Sequence, residues 1–202
     1  MPRQYVRNTS QTSYLFTTLR VCVSWLMLRS DTRLAKLDAA DSPFSCILLA
    51  TAGLVRLGLG HRITQRLDPD VFPYAVGQGA LGLEVKTGSE DTLTLVRAAD
   101  HMPSRWCGLA ERTMLRSLQG GCSSPIGVRS LWNPRGGEGQ PGHDSDGGVI
   151  RLNATVLNVE GTEEICARHE GHVSSDHEAE RIGVLVAKSL LVQGAGNLLQ
   201  KQ

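Results

Sequence analysis

The hydrophobic positions change rhythm along the chain, and each change marks an element. "DTRLAKLDAA" puts Leu34 and Leu37 at helical spacing, with Asp31 as an N-cap. "SCILLATAGLVRLGLG" opens on a continuous apolar run of strand length, the pattern of a strand buried on both faces. Thr51, Ala52 and Gly53 then read as a tight strand-to-helix turn, and "LVRLGL" as the start of a helix with Arg56 in its first turn. Pro69 and Pro73 stop any helix in "LDPDVFPYAVGQGALGLEV", which continues as a glycine-rich loop running into a strand. "EDTLTLVRAADHMPSRWCGLAERTMLRSLQGG" is strongly helical. Leu93, Val96, Leu109, Met114, Leu115 and Leu118 form its apolar faces, and it breaks near Met102 and Pro103. Gly120 and Gly121 are the expected C-cap, which sets Cys122 just beyond a helix end.

The remainder reads as a small α+β module. "SSPIGVRSLW" is strand-like, "NPRGGEGQPGHDSDGG" is a glycine- and proline-rich loop, and "VIRLNATVLNVEGTEEICARHEGHV" alternates as a hairpin turning at Glu160 and Gly161. "DHEAERIGVLVAKSLLVQGAGNLLQ" is an amphipathic helix closed by a turn at Gly194–Gly196. Residues 1–30 stand apart. They hold no acidic residue and many Ser and Thr, with Arg3, Arg7, Arg20 and Arg29, a composition that fits a mitochondrial transit peptide. An unstructured tail or a misjoined gene model are the alternatives.

Composition bounds the class. The 202 residues are 41% hydrophobic and 20% charged, as in an ordinary globular chain, and at 4% aromatic the core must be aliphatic. A net charge of +1 gives no global reason to expect nucleic acid or membrane binding. The five cysteines are widely spaced with no CxxC pair, which suits free thiols in a reducing compartment. No apolar run reaches the ~18 residues that a spanning helix needs.

Several patterns invite chemistry. Gly77, Gly79 and Gly82 match GxGxxG, but the match should follow a strand and open a helix, and here it follows a proline-containing loop. Cys166, His169, His172 and His177 cluster in sequence without the spacing of a standard zinc module, so solvated histidines on a strand and loop fit better. Serines, histidines and aspartates are present, but no GxSxG nucleophile elbow is. Arg56, read as lying beside the free N–H groups of a helix start, suits an anion; a plain surface arginine is the alternative. Cys122, between two glycines and two serines, is either a reachable nucleophile or an idle thiol.

Five stretches occur in one order: "TRLAKLD", "ILLATAGLVRLGL", "YAVGQGALGLEV", "AERTMLRSLQGGCSSPIGV" and the closing "GA-x-x-LL". Together they resemble the porphobilinogen deaminase (hydroxymethylbilane synthase) family, from about Asp31 to the C-terminus. The resemblance implies a partial α/β domain of the periplasmic-binding-protein type followed by a small α+β domain with an antiparallel sheet and helices. By it, residues 1–30 are an atypical extension, 31–101 a remnant of the α/β cleft domains, and 102–202 the domain that carries the cofactor cysteine. The family joins four porphobilinogen units into hydroxymethylbilane with release of ammonia. The resemblance implies a dipyrromethane cofactor held by a thioether at Cys122, with Gly121 in the same motif. Arg33 and Arg56 match arginines facing the cleft, where guanidinium groups suit a polycarboxylate chain. Gly53 and Gln78, with Thr51, Ala52 and Gly79, match segments lining the cleft or its hinge. Porphobilinogen and polypyrrole intermediates are the implied partners, with no nucleic acid or membrane, in a monomer. The implied compartment is the cytosol, with mitochondria as the alternative from the basic N-terminus.

The departures carry equal weight. The family's Ser-Leu-Lys-Asp segment, whose aspartate handles the pyrrole nitrogens, does not occur, nor does its "SSLRR" motif. Where the family reads Arg-Gly-Asn-x-x-Thr-Arg this chain reads "LRSDTR", so Arg29 stands too close to Arg33 to take the expected role. No motif places Asp38 or Asp100 in the cleft. The chain alone is therefore expected to be weakly active or inactive. A non-catalytic pyrrole- or carboxylate-binding paralogue and a relic of a defective gene model are the alternatives. The apolar face of "ALGLEV" is expected to lack its native partner.

Overall fold

The computed structural model describes residues 30–120, 124–134 and 147–200. The chain divides into two compact units, Met1–Tyr74 and Ala75–Gln202. In the first, helix α1 (Ser30–Asp38) and the short helix α2 (Thr51–Arg56) precede a single 3-10 turn at Gly60–Arg62. Leu34, Leu49 and Leu54 make its small core, with Ile47, Leu59 and Ile63 packed against them. Arg62 grips Asp38 with both terminal guanidinium nitrogens, at 2.6 and 3.1 Å, and so ties the 3-10 turn to the end of α1.

Three local expectations change here. Asp31 lies inside the first turn of α1 rather than capping it, since the helix already includes Ser30. The apolar run at 46–50 forms no strand. A strand needs a ladder, and among the described residues Ala50 makes only an isolated bridge, so the run is extended and half-buried. Thr51, Ala52 and Gly53 are helix, not turn. Ala50 is the N-cap, and its carbonyl accepts from Gly53 and Leu54 N–H at 3.0 and 3.3 Å.

The second unit begins with a turn at 76–79 and an extended segment, then helix α3 (Glu90–Arg97) and helix α4 (Met102–Ser117). "ALGLEV" does not pair as a strand, and Leu81 and Leu83 are 94% and 63% exposed. Helix α3 buries no residue, and its Leu95 is 76% exposed. The helical break falls at 98–101, with Pro103 in the first turn of α4, where its missing N–H costs nothing.

Strands β1 (Ile126–Pro134), β2 (Gly148–Leu157) and β3 (Glu164–Val173) form an antiparallel sheet in that order, followed by α5 (Asp176–Val192) and α6 (Ala195–Gln200). This is the antiparallel module the resemblance implied. The register pairs Val128 with Ala154 and Ala154 with Ala167, so alternate residues share one face. Ile150, Leu152, Ala154 and Val156 are buried on that face under the helices. The β2–β3 turn falls where the alternation stops, with Gly161 at φ +68.

Helix α4 presents Trp106, Ala110, Met114 and Leu118, four residues apart, as one buried ridge. Helix α5 answers with Ala179, Ile182, Gly183, Val186 and Leu190. Gly183 is the point of closest approach, since a Cβ there would run into the Ala110 carbonyl oxygen. The Trp106 indole stacks on Trp132 of β1, 5.5 Å apart and tilted 45°, and donates to Asp176 Oδ1 at 2.8 Å. Ser175 caps α5 by accepting from Glu178 N–H, and the Glu178 carboxylate accepts in return from Ser174 N–H at 2.8 Å. Half-buried Cys107 lies beside the α4 ridge. Burial pushes its thiol from the ordinary value near 9 up to about 11, against the opposing effect of a hydrogen bond with Ser130.

Two predictions follow from this packing. Gly183→Ala should cost about 1–3 kcal/mol through overpacking, whereas Gly108→Ala, where a Cβ meets nothing within 4 Å, should gain about 0.5–1 kcal/mol; opposite shifts of the urea midpoint are the check. The unfolded Cys107 thiol ionises near pH 9 and the folded one near 11, so its stabilising contribution is complete below pH 9 and lost as pH rises through 11. Cys107→Ala should flatten the decline of the urea midpoint over that window, and parallel pH profiles would refute it.

Candidate functional site

The region around the candidate cysteine is fixed at both ends. Helix α4 closes in a Schellman motif: Gln119 N–H donates to Arg116 O at 3.0 Å and Gly120 N–H to Leu115 O at 3.1 Å. The left-handed position is Gln119, at φ 55, and not a glycine as expected. Burying Leu118 as the last residue of the ridge fixes where the helix must stop, and the next residue takes the strained conformation. Gly120 is needed for space instead. A Cβ there would sit 2.8 Å from both Leu115 Cδ1 and Ile126 Cδ1, and 3.5 Å from Ser124 Oγ. On the other side, Ile126 N–H donates to Ser124 O at 2.7 Å, and Leu157 N–H to Pro125 O at 3.0 Å. Helix α4 and strand β1 thus bring Gly120 and Ser124 close together. The expectations for Gly121 and Cys122 lie outside the described residues.

A second element is held against this pair. Gly77 N–H donates to Glu111 Oε2 at 2.7 Å, and Ser130 Oγ–H to Glu111 Oε1 at 2.5 Å. One carboxylate on α4 therefore engages the 76–79 turn and strand β1 together. Gly77 and Gly79 adopt φ +68 and +89, values that glycine alone takes freely, so the GxGxxG match is explained by turn geometry. Within that turn Gln78 is half-buried, and its Oε1 accepts from Ala75 N–H at 3.3 Å. The sequence reading missed Glu111 and Ser130. The available signal was a carboxylate inside "AERTML", four residues after Cys107 and beside the apolar ridge.

The first unit places the other candidates. Arg33 is half-buried on α1, next to Leu34 of the small core. Arg56 is exposed at the C-terminal end of α2, so the free N–H groups of a helix start do not surround it. The helix begins earlier than the sequence suggested because Ala50 already caps it. Gly53 sits inside α2 with nothing within 4 Å of a would-be Cβ. Asp38 and Asp100 are engaged in ion pairs, with Arg62 at 2.6 Å and Arg105 at 3.3 Å.

The histidine cluster does not converge. Strand alternation puts Cys166 and His172 on the face away from the helices and His169 on the other, while His177 belongs to α5. Among the described residues no three His, Cys, Asp or Glu side chains gather as metal ligands. Nor, among them, is any helix long and apolar enough to cross a membrane.

Comparison with known proteins adds two domain matches. Residues 6–94 match the model "Porphobilinogen deaminase, dipyromethane cofactor binding domain", and residues 106–192 match "Porphobilinogen deaminase, C-terminal domain". The first match reaches back to residue 6, into the segment that composition set apart. The chain is 42% identical over 169 residues to a porphobilinogen deaminase of Debaryomyces hansenii, covering 84% of this chain and 44% of that protein. It is 42% identical over 170 residues to that of Schizosaccharomyces pombe (84% and 48%) and 38% over 172 to that of Saccharomyces cerevisiae (85% and 49%). The chain thus spans about half the length of the curated relatives it matches. With one domain match on either side of residues 95–105 and the cysteine motif inside the second, the chain belongs to the porphobilinogen deaminase family.

Proposed function

We propose that this chain carries the cofactor-anchoring part of a hydroxymethylbilane synthase, the enzyme that joins four porphobilinogen units with release of ammonia. The observation that supports it most is the order on either side of the cysteine motif: helix α4 ends in a Schellman cap at Gly120, and Pro125 O accepts from Leu157 N–H where β1 begins. The chemistry of the available groups also fits dipyrromethane. A thiol can form the thioether, and the guanidinium groups of Arg33 and Arg56 can bind acetate and propionate carboxylates in bidentate fashion. When bound, dipyrromethane supplies the pyrrole end from which the chain of pyrroles grows. The part of Cys122 is to hold it, and that of the arginines and Gln78 is to orient the carboxylates. In this reading the partners are porphobilinogen and polypyrrole intermediates, and the working form is a monomer.

The chain by itself is expected to hold pyrroles and to turn them over weakly or not at all. Its 202 residues contain neither the Ser-Leu-Lys-Asp segment nor the "SSLRR" motif. Asp38 and Asp100 serve ion pairs with Arg62 and Arg105.

The test is the intact mass of the purified chain before and after incubation with hydroxymethylbilane. A gain of one four-pyrrole chain less one water, as the C–S bond replaces the hydroxymethyl C–OH bond, is expected and should be abolished by Cys122→Ala, with little or no tetrapyrrole formed from porphobilinogen. An unmodified mass in a folded sample would leave the family name describing ancestry alone, and brisk tetrapyrrole formation would refute the expected inactivity.

A further inference from the structure

We infer that His101 is a pH-sensitive catch on the joint between α3 and α4: its neutral imidazole caps α4 and holds the joint closed, and its protonation releases the cap and frees α3. The inference stands on the second unit alone and does not depend on the proposed function.

Three observations carry it. First, the cap is an imidazole. His101 is the N-cap of α4, in extended backbone at φ −111 and ψ 99, and its Nδ1 accepts from Ser104 N–H at 3.3 Å. Ser104 Oγ lies 2.8 Å from the same nitrogen. Pro103 brings no N–H to this turn, so Ser104 N–H is the donor that the cap serves. An imidazole accepts only through a nitrogen that carries no proton. Asparagine and serine, two common N-caps, keep their acceptor oxygen across the neutral range. Histidine makes the cap conditional on pH.

Second, the surroundings oppose a positive charge at this position. Asp176, in the first turn of α5, accepts from Trp106 Nε1 at 2.8 Å and pairs with Arg105 Nη2 at 3.3 Å, so the N-terminal ends of α4 and α5 lie side by side. Both ends are the positive poles of their helices. The charged groups of these segments are Asp100 on the connector, Arg105 on α4 and Asp176 on α5, with Arg97 at the end of α3 and His177 next to Asp176. Arg105 engages both carboxylates, through Nη1 to Asp100 at 3.3 Å and through Nη2 to Asp176. A proton taken up from water onto Nδ1 therefore meets two helix poles and carboxylates that are already paired. It also reverses the hydrogen bond with the Ser104 hydroxyl, which then accepts, and it deprives Ser104 N–H of its acceptor.

Third, packing does little to hold α3. The helix buries no residue, and its Leu95 is mostly exposed. Its position depends on the connector, where the Ala98, Ala99 and Asp100 N–H groups donate back to the Leu95, Val96 and Arg97 carbonyls. That connector enters α4 through His101, whose carbonyl accepts from Arg105 N–H at 3.0 Å. One titratable side chain thus stands where a weakly packed helix joins the core.

The experiment follows the full chain by NMR between about pH 5.5 and 7.5, the range in which imidazoles titrate, as wild type, His101→Asn and His101→Ala. It reads amide protection factors at Ser104 and Arg105, which are corrected for the intrinsic pH dependence of exchange, and backbone order along residues 90–97. In the wild type, protection at both amides should fall about fivefold on acidification, the size of a lost N-cap, and the order of α3 should fall over the same range. His101→Asn supplies an acceptor in place of Nδ1 and does not titrate, so its profile should stay flat at the neutral-pH level. His101→Ala should show low protection at both ends of the range. A flat wild-type profile would overturn the inference. So would a His101→Asn profile parallel to that of the wild type, since another group would then carry the titration. Protection that falls at Ser104 and Arg105 while the order of α3 holds would leave His101 a cap alone and overturn its role in the joint.

Discussion

At Gly183, helix α5 lies so close to α4 that a single methyl group would strike the Ala110 carbonyl. The close approach lets the two helices lie as one layer over one face of the sheet, with the α4 ridge buried between α5 and the strands. It also fixes the roll of α4 about its axis. With Trp106, Ala110 and Met114 turned inward, Glu111 can reach Ser130 and Gly77, and Leu118 seats as the helix stops. The Schellman cap at Gln119 and Gly120 follows from that placement. A rotation of α4 by one residue would expose Met114 and take the carboxylate away from both donors.

The second unit was legible in the sequence where periodicity coincided with packing. The alternation of "VIRLNATVL" became a strand with one fully buried face, and the spacing of the α4 ridge became a helix of the expected extent. The first unit was less so. A continuous apolar run such as "CILLA" states that a segment wants to be buried, not what would pair with it, and the described residues offer it no ladder. The cap of α2 was misread because Ala50 supplies only backbone carbonyl acceptors, with no side-chain signature for sequence to show. The Gln119 conformation was invisible for a related reason: it is imposed by the burial of Leu118, not chosen by glutamine.

Of the candidate site, sequence supplied the identities and structure supplied the joinery. The cysteine motif, Arg33 and Gln78 could be named from their motifs. That Glu111 connects the Gln78 turn to β1 depends on contacts spanning tens of residues, beyond any local pattern. Arg56 shows the converse: a motif match survives while the local argument for anion binding does not, because the residue ends its helix instead of starting it. The leucines at 81, 83 and 95, each mostly exposed, set a practical limit on the isolated chain, since apolar surface of this kind favours association.

The stacked indoles of Trp106 and Trp132 have an optical consequence. Their centroids lie 5.5 Å apart with the rings tilted by 45°, close and skewed enough for the two chromophores to couple as a chiral pair. One ring belongs to α4 and the other to β1, the two elements that flank the cysteine. The circular dichroism of the pair in the near ultraviolet therefore senses the seating of α4 on the sheet, and the protein carries its own gauge of whether that helix and β1 are assembled.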